Sequence, residues 1–261
     1  MTFKRYLQGF VLGIAVCMST AAVAQEDQKL MYLVKDFSEL RTLPGFSYTA
    51  PSGFVPGRGV GFASISGSLI GTTVDGAYSI GFGHGDPFKG IGGAVSLGIG
   101  SVDPTDGGAF SRGNMSISLG HIYTKHNIGI STGLSGIDLW NDGNNILNPS
   151  AYITATKLFA NEKHPVALTA GFGNNGFVDI DEATNREDKL GVFFSSAVYV
   201  IPQVSLIVDY SSGITSFATG IAPFPDYPIS FTFGVNGVFG EYTDDEAKLF
   251  GTVSTAFPFM I

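Results

Sequence analysis

Large apolar side chains alternate with small or mildly polar ones along most of the chain after residue 59. In the clearest segment, Val95, Leu97 and Ile99 alternate with Ala94, Ser96 and Gly98. A period of two places successive side chains on opposite faces of a β-strand. The pattern therefore predicts strands with one bulky apolar face and one small, weakly polar face.

Twelve segments share this alternation, and the connections between them differ in length. Those after segments 2, 4, 6, 8 and 10 are short, whereas those after 3, 5, 7 and 11 are longer and rich in Asp, Asn and Gly; the connections after 1 and 9 are short exceptions. The segments are 59–71, 77–84, 90–101, 114–124, 127–137, 150–160, 165–173, 189–200, 203–211, 213–222, 227–240 and 247–258.

An even strand number with short turns at one end and long loops at the other is typical of outer-membrane barrels. A soluble β-sandwich also alternates, but it gives no reason for loop length to follow strand parity. We therefore predict an all-β fold, an antiparallel up-and-down transmembrane β-barrel of about 12 strands. Its bulky face would contact lipid and its small face would line the lumen.

The first residues predict export. Lys4 and Arg5 precede the apolar run 10–18, and Ala22-Val23-Ala24 ends the segment as a signal-peptide cleavage site would. A single membrane anchor is the alternative, but the run is shorter than the roughly 20 residues that a spanning helix needs. The predicted division is therefore a signal peptide at 1–24, an irregular segment at 25–58 and the barrel at 59–261.

Composition agrees with an exported barrel and excludes some other classes. The sequence has 36 Gly and 22 Phe, and only 14% of its residues are charged; so much dispersed glycine disfavours a helical protein. Loss of residues 1–24 removes two of the 14 basic residues, so 12 remain against 22 acidic ones. Such an acidic chain is a poor candidate for binding nucleic acid.

The predicted inner face raises the question of what fills the lumen. Barrels of about eight strands are filled by their own side chains, and small side chains in a wider barrel leave room for water, a ligand or a plug. The segment 25–58, which Pro and Gly interrupt repeatedly, would either plug the lumen or lie in the periplasm. Three charged strand residues are predicted to face the lumen: Lys157, Lys189 and Asp209.

Aromatic residues gather near the ends of the predicted strands, as in the interfacial girdles of membrane barrels. Those that suggest such girdles are Tyr123, Tyr152, Phe159, Phe172, Tyr199, Tyr210, Phe239 and Phe257.

The search for chemistry finds no pattern that predicts an enzyme. The four His residues, at 84, 121, 126 and 164, share no metal-ligand spacing and have no Ser or Asn at a catalytic spacing. An acidic stretch could suggest calcium, but it lacks the oxygen ligand and the Gly that a calcium loop needs at positions five and six. We interpret it as a solvated outer loop with no metal and no cofactor; its acidic residues are Asp179, Asp181, Glu182, Glu187 and Asp188.

Several short stretches resemble YjbH-type outer-membrane proteins, which are associated with exopolysaccharide. The resemblance covers most of residues 45–240, and the stretches that carry it are 49–54, 81–87, 190–194, 201–210 and 225–229. It implies a barrel in the outer membrane of a Gram-negative bacterium, and polysaccharide as a partner.

The sequence thus predicts a non-enzymatic, porin-like outer-membrane barrel that acts as a passive channel or envelope component. The alternative is a plugged structural barrel associated with exopolysaccharide production or export. Its expected partners are outer-membrane lipid, the barrel-assembly machinery, and polysaccharide or small solutes.

Overall fold

The computed structural model describes residues 44–70, 73–100, 110, 112–141, 148–159, 164–179, 189–224, 227–239 and 247–258. These residues contain twelve strands, as the sequence predicts. The strands are β1 Val60–Ile70, β2 Thr73–Gly85, β3 Gly92–Gly100, β4 Arg112–Tyr123, β5 Ile128–Asn141, β6 Ser150–Phe159, β7 Val166–Gly173, β8 Gly191–Ile201, β9 Val204–Ser211, β10 Ile214–Ile221, β11 Ile229–Asn236 and β12 Lys248–Pro258.

The strands form one closed antiparallel barrel in sequence order. Each strand pairs with its neighbours along the chain, and β1 closes the sheet by pairing with β12, with Ser64 opposite Ser254 on one side and opposite Ser79 on the other. Closure leaves no strand with unpaired backbone groups at an edge. The predicted all-β, up-and-down, 12-stranded barrel is confirmed.

The two ends of the barrel differ. We call the end at which β1 begins the turn end, because the connections after β2, β4, β6, β8 and β10 lie there and span two to seven residues. The other end is the loop end, where the connections after β3, β5, β7 and β11 span eight to 17 residues. Two short 3-10 helices occur, Thr124–His126 at the turn end and Asn175–Phe177 at the loop end.

The outer face of the barrel is apolar around its circumference. Large side chains on it remain substantially exposed, among them Ile65, Leu97, Leu119, Ile153, Leu206, Phe217 and Phe233. Their sequence neighbours face inward, and most of them are small. The alternation in the sequence therefore has the orientation that was predicted, with the bulky face outside. No described helix is long and apolar enough to span a membrane.

The inner face is less uniform than the sequence suggests, because bulky side chains also point into the lumen. Six of them are buried: Ile122, Leu158, Phe193, Tyr199, Ile207 and Phe250. The prediction that Tyr152 and Tyr199 belong to outer girdles is wrong, since Tyr199 lies in this interior cluster and Tyr152 packs against the buried Phe177. These inward side chains are buried because residues that belong to no strand fill part of the lumen.

Candidate functional site

Residues 44–57, which we call the plug, lie inside the barrel. The plug begins near β9, β10 and β11, where Gly45 packs against Gly220 and Thr232. It ends beside β2, where Gly57 contacts Gly83, and joins β1 at the turn end. The irregular segment predicted at 25–58 is thus placed in the lumen from residue 44 onward, while residues 25–43 and the predicted signal peptide lie outside the described residues.

Asp209 holds the plug at its centre. This carboxylate is 1% exposed and points inward from β9. The backbone N–H groups of Tyr48 and Ala50 donate to Oδ2 at 3.1 and 3.4 Å, and that of Thr49 donates to Oδ1 at 3.3 Å. The Thr49 hydroxyl also donates to Oδ1. A buried carboxylate is expensive unless donors compensate it, and here the plug supplies them.

The Ser47 hydroxyl completes this cluster. It lies 3.0 Å from Asp209 Oδ2 and 2.5 Å from the carbonyl oxygen of Ala50, so its single proton serves one of the two acceptors. A bond to Ala50 closes the turn at residues 47–50, and a bond to Asp209 links this turn to the wall. Asp209 was predicted to face the lumen, and the structure places it there.

Hydroxyl side chains of the wall anchor the rest of the plug backbone. Ser131 and Thr154 donate to the carbonyl oxygens of Ser52 and Pro51 at 2.7 and 3.0 Å. Thr156 accepts from the Gly53 N–H at 2.8 Å. Two further wall serines, Ser195 and Ser205, donate to the carbonyl oxygens of Phe46 and Gly45. An irregular segment can stay buried only if its backbone groups find such partners, and β5, β6, β8 and β9 provide them.

Apolar contacts fill the space between these hydrogen bonds. Phe46, Tyr48 and Phe54 pack against the inward cluster of bulky wall residues. The Tyr48 ring stacks on Phe250, with 3.5 Å between ring centroids. Burial is the main cause that raises the pKa of the Tyr48 phenol, and the nearby Asp209 carboxylate raises it further, against a hydrogen bond from Asn236 that lowers it. The phenol therefore stays neutral at physiological pH.

The plug occupies one side of the lumen and leaves a chamber on the other. On β1 to β4 many of the inward side chains are serines that remain partly exposed although they face the barrel interior: Ser64, Ser66, Ser68, Ser79, Ser96, Ser116 and Ser118. The inward residues of β6 to β10, by contrast, are buried beneath the plug. The serine side of the lumen is therefore less tightly filled than the side that the plug covers.

The chamber is closed at the turn end. There the inward side chains of the same strands, Val60, Ala94 and Ile122, are buried. Plug residue Val55 packs against Gly120, and residues 56–57 lie against Gly83. Toward the loop end the lining turns polar, with Asn114 opposite Asp138 across β4 and β5. The plug thus separates a polar chamber from the turn end of the barrel.

A segment from the loop end also enters the lumen. Phe177, in the connection after β7, is 8% exposed and lies 4.9 Å from the Phe193 ring and 5.7 Å from the Tyr152 ring. Ala50 of the plug belongs to the same cluster. The neighbouring backbone is fixed by Ser150, which accepts from the Gly176 N–H at 2.9 Å, and by Ser212, which donates to the Gly176 carbonyl. This loop therefore contacts the plug across the lumen.

Replacing Phe177 by Ala is expected to lower the free energy of unfolding by about 3 kcal/mol, because a buried ring is lost and the cavity cannot collapse fully. Urea unfolding in detergent would measure the change. The outward Phe172 is a suitable control, since Phe172→Ala removes a ring that is half exposed. Equal losses for the two variants would contradict a packing role for Phe177.

The other predicted site residues do not join the Asp209 cluster. The prediction that Lys157 faces the lumen is wrong: Thr156 and Leu158 on either side of it are buried inward, so strand alternation turns Lys157 to the outer face, where its Nζ donates to the His126 carbonyl at 2.7 Å. Lys189 lies partly exposed at the loop end, two residues before β8. Asp179 lies against Gly213, and Asp181, Glu182, Glu187 and Asp188 lie outside the described residues.

Two of the four histidines contact backbone carbonyl oxygens. His121 Nδ1 lies 2.5 Å from the Gly90 carbonyl oxygen, and His164 Nδ1 lies 3.3 Å from that of Tyr199. Within the described ranges, no three His, Cys, Asp or Glu side chains come together as a metal site.

No family model matches the chain, and no curated protein sequence does. Solved outer-membrane structures resemble it at low identity. The COG4313 outer membrane channel from Pseudomonas putida F1 is 12% identical, with a TM-score of 0.45, over 82% of this chain and 99% of that one. Outer membrane phospholipase from Salmonella typhi is 8% identical, with a TM-score of 0.45, over 88% of this chain and 96% of that one. The function of this chain is therefore inferred from its own residues.

Proposed function

We propose that the chain is a barrel of the Gram-negative outer membrane and acts as a plugged channel. Support for the membrane comes from the apolar outer face, which would be unfavourable in water on a barrel of this size and suits lipid. The backbone of all twelve strands is paired within the closed sheet, as a lipid environment requires.

The observation that carries the channel proposal is the position of the plug in the lumen and the contacts that hold it there. Residues 44–57 lie across a lumen whose β1–β4 side carries many serines. They are held by hydrogen bonds to a few wall side chains and by the packing of Phe46, Tyr48 and Phe54 on bulky inward wall residues. In this arrangement the barrel is closed. Displacement of the plug would open a polar path for small solutes along β1 to β4.

Planar-bilayer recordings test the proposal. A refolded chain that begins at residue 25 is expected to be closed or to open rarely, whereas one that begins at residue 58 is expected to conduct steadily, because the plug then no longer covers the turn end of the serine-lined side. Folding of both proteins is checked by heat-modifiable migration in gels. Absence of conductance from both folded proteins would reject the channel.

The second candidate is a structural barrel associated with exopolysaccharide. The resemblance to YjbH-type proteins suggests it, and the many hydrogen bonds between plug and wall favour a plug that stays in place. It predicts that deletion of the gene lowers surface polysaccharide while solute permeability stays unchanged. Uptake of small solutes and the amount of surface polysaccharide, measured in the same deletion strain, distinguish the two candidates.

Neither candidate requires catalysis, and we propose that the protein is not an enzyme. A lipid-hydrolysing barrel would need a nucleophile and a base in contact. Detection of hydrolase activity that disappears on replacement of His121, the histidine on the outer face of β4, would overturn this proposal.

A further inference from the structure

Basic side chains are gathered on one arc of the turn end. Arg58, Lys89, Lys125 and His126 are all exposed there, on the side that runs from β1 to β6. The described residues of the turns after β8 and β10 are uncharged. The acidic residue described on the arc, Asp86, lies 3.8 Å from Lys89 and also accepts from the backbone N–H groups of Phe88 and Lys89. The Asp86 carboxylate is therefore engaged by groups of its own turn.

Lys157 extends this arc onto the lipid-facing wall. It lies near the turn end of β6, with Ile128 and Leu168 beside it in register. Its Nζ uses one of its three donors on the His126 carbonyl and lies 5.5 Å from the Phe159 ring centroid. A lysine on the lipid face of a barrel is costly at the bilayer centre but is tolerated near the interface. Its position therefore marks the membrane surface.

Neighbouring side chains also indicate that Lys157 lies at the membrane surface. Tyr123, next to the 3-10 helix that carries Lys125 and His126, is half exposed on the outer face and meets the His121 ring edge-on at 4.5 Å. Aromatic side chains with one polar atom favour the lipid headgroup region. Lys125 and His126 belong to one 3-10 helix, and Lys157 is bonded to its His126 carbonyl, so the three basic residues lie near one another at the turn end.

We propose that Lys125, His126 and Lys157 bind the phosphate of an anionic phospholipid at the turn-end surface of the membrane. The inference rests on the proposed membrane location but not on whether the barrel conducts. Lysine binds phosphate as a point charge, and the attraction of basic groups to an anionic leaflet acts within a Debye length. Because there are two lysines and the position of Lys157 is fixed by the His126 carbonyl, these residues form a defined binding site and not only a diffuse positive potential.

Native mass spectrometry of the folded barrel in detergent tests the site. Added phosphatidylglycerol is expected to bind more tightly than phosphatidylcholine. Each of Lys125→Gln and Lys157→Gln is expected to weaken phosphatidylglycerol about fivefold, and Lys157→Arg is expected to retain binding. Lys125→Gln is decisive even if Lys157→Gln disturbs the contact with the His126 carbonyl, because no described hydrogen bond uses the Lys125 side chain.

Two matched controls separate the site from general charge. Lys89→Gln lies on the same arc but in the turn of Asp86, and Arg112→Gln lies at the loop end; both are expected to leave binding unchanged. Equal losses in Lys89→Gln and Lys125→Gln, equal affinity for the two lipids, or complete competition by millimolar inorganic phosphate would each overturn the proposal. Failure of the protein to fold into detergent or lipid as a heat-modifiable barrel would instead contradict the proposed membrane location.

Discussion

Replacement of Asp209 by Ala is expected to release the plug while the barrel stays folded. The substitution removes the acceptor for three backbone N–H groups, of which that of Ala50 is buried, and for the Thr49 hydroxyl. Each buried donor left without a partner costs about 1–3 kcal/mol. Residues 47–50 can avoid this cost by moving into water, whereas the strands keep their own ladder of hydrogen bonds. The plug therefore moves in preference to the wall.

Limited proteolysis and bilayer recordings measure this release. The Asp209→Ala variant should be cut within residues 44–57 at protease concentrations that leave the parent chain intact, and it should conduct. Ser205→Ala is the control, because it removes one hydroxyl that donates to the Gly45 carbonyl and should cost only about 1 kcal/mol. Protection of the plug in Asp209→Ala equal to that of the parent would show that Asp209 is not its anchor.

Gly53→Ala is expected to dislodge the plug by steric overlap. A Cβ at this position would lie 2.2 Å from the Gly129 carbonyl oxygen and 2.5 Å from the Thr156 nitrogen. Both are backbone atoms of the barrel wall, which cannot rotate away as a side chain would. Overpacking of this kind typically costs 1–3 kcal/mol or more. The plug should shift and lose the Gly53–Thr156 hydrogen bond.

The expected result is greater conductance and faster cleavage of the plug, with no loss of the barrel. Gly251→Ala is a matched control on β12, because a Cβ there would meet nothing within 4 Å. A folded Gly53→Ala variant as closed and as protected as the parent would contradict the close approach of plug and wall. Equal opening of the Gly251→Ala variant would place the effect in the barrel instead of the plug.

The strand pattern could be predicted because it follows from local alternation. Each strand has to present apolar side chains to one environment and small ones to another, and that requirement is written every second residue. The observed strand ends differ from the predicted ones by a few residues. For example, β5 continues to Asn141, past a register shift in its pairing with β4. Asp209 was identifiable too, because a carboxylate that shares a strand face with Ser205 and Ser211 is unusual.

The rest of the site could not be read in this way. Thr154, Thr156 and Ser195 match the small residues expected on any inward face, and only their contacts with the plug distinguish them. Lys157 was misplaced because Ala155 and Phe159 beside it do not define a face clearly. The buried Phe193 and Tyr199 look like ordinary bulky residues of a lipid-facing strand until the plug that covers them is placed.

The sequence by itself determined the strand number, the antiparallel pairing of consecutive strands and the outward direction of the bulky face, because these depend on residues that are close along the chain. The tertiary structure alone decided what occupies the lumen. Asp209 and the turn at residues 47–50 are about 160 positions apart, and an irregular segment carries no periodic signal of its partner. Their contact arises only when closure of the barrel creates a buried carboxylate that requires donors.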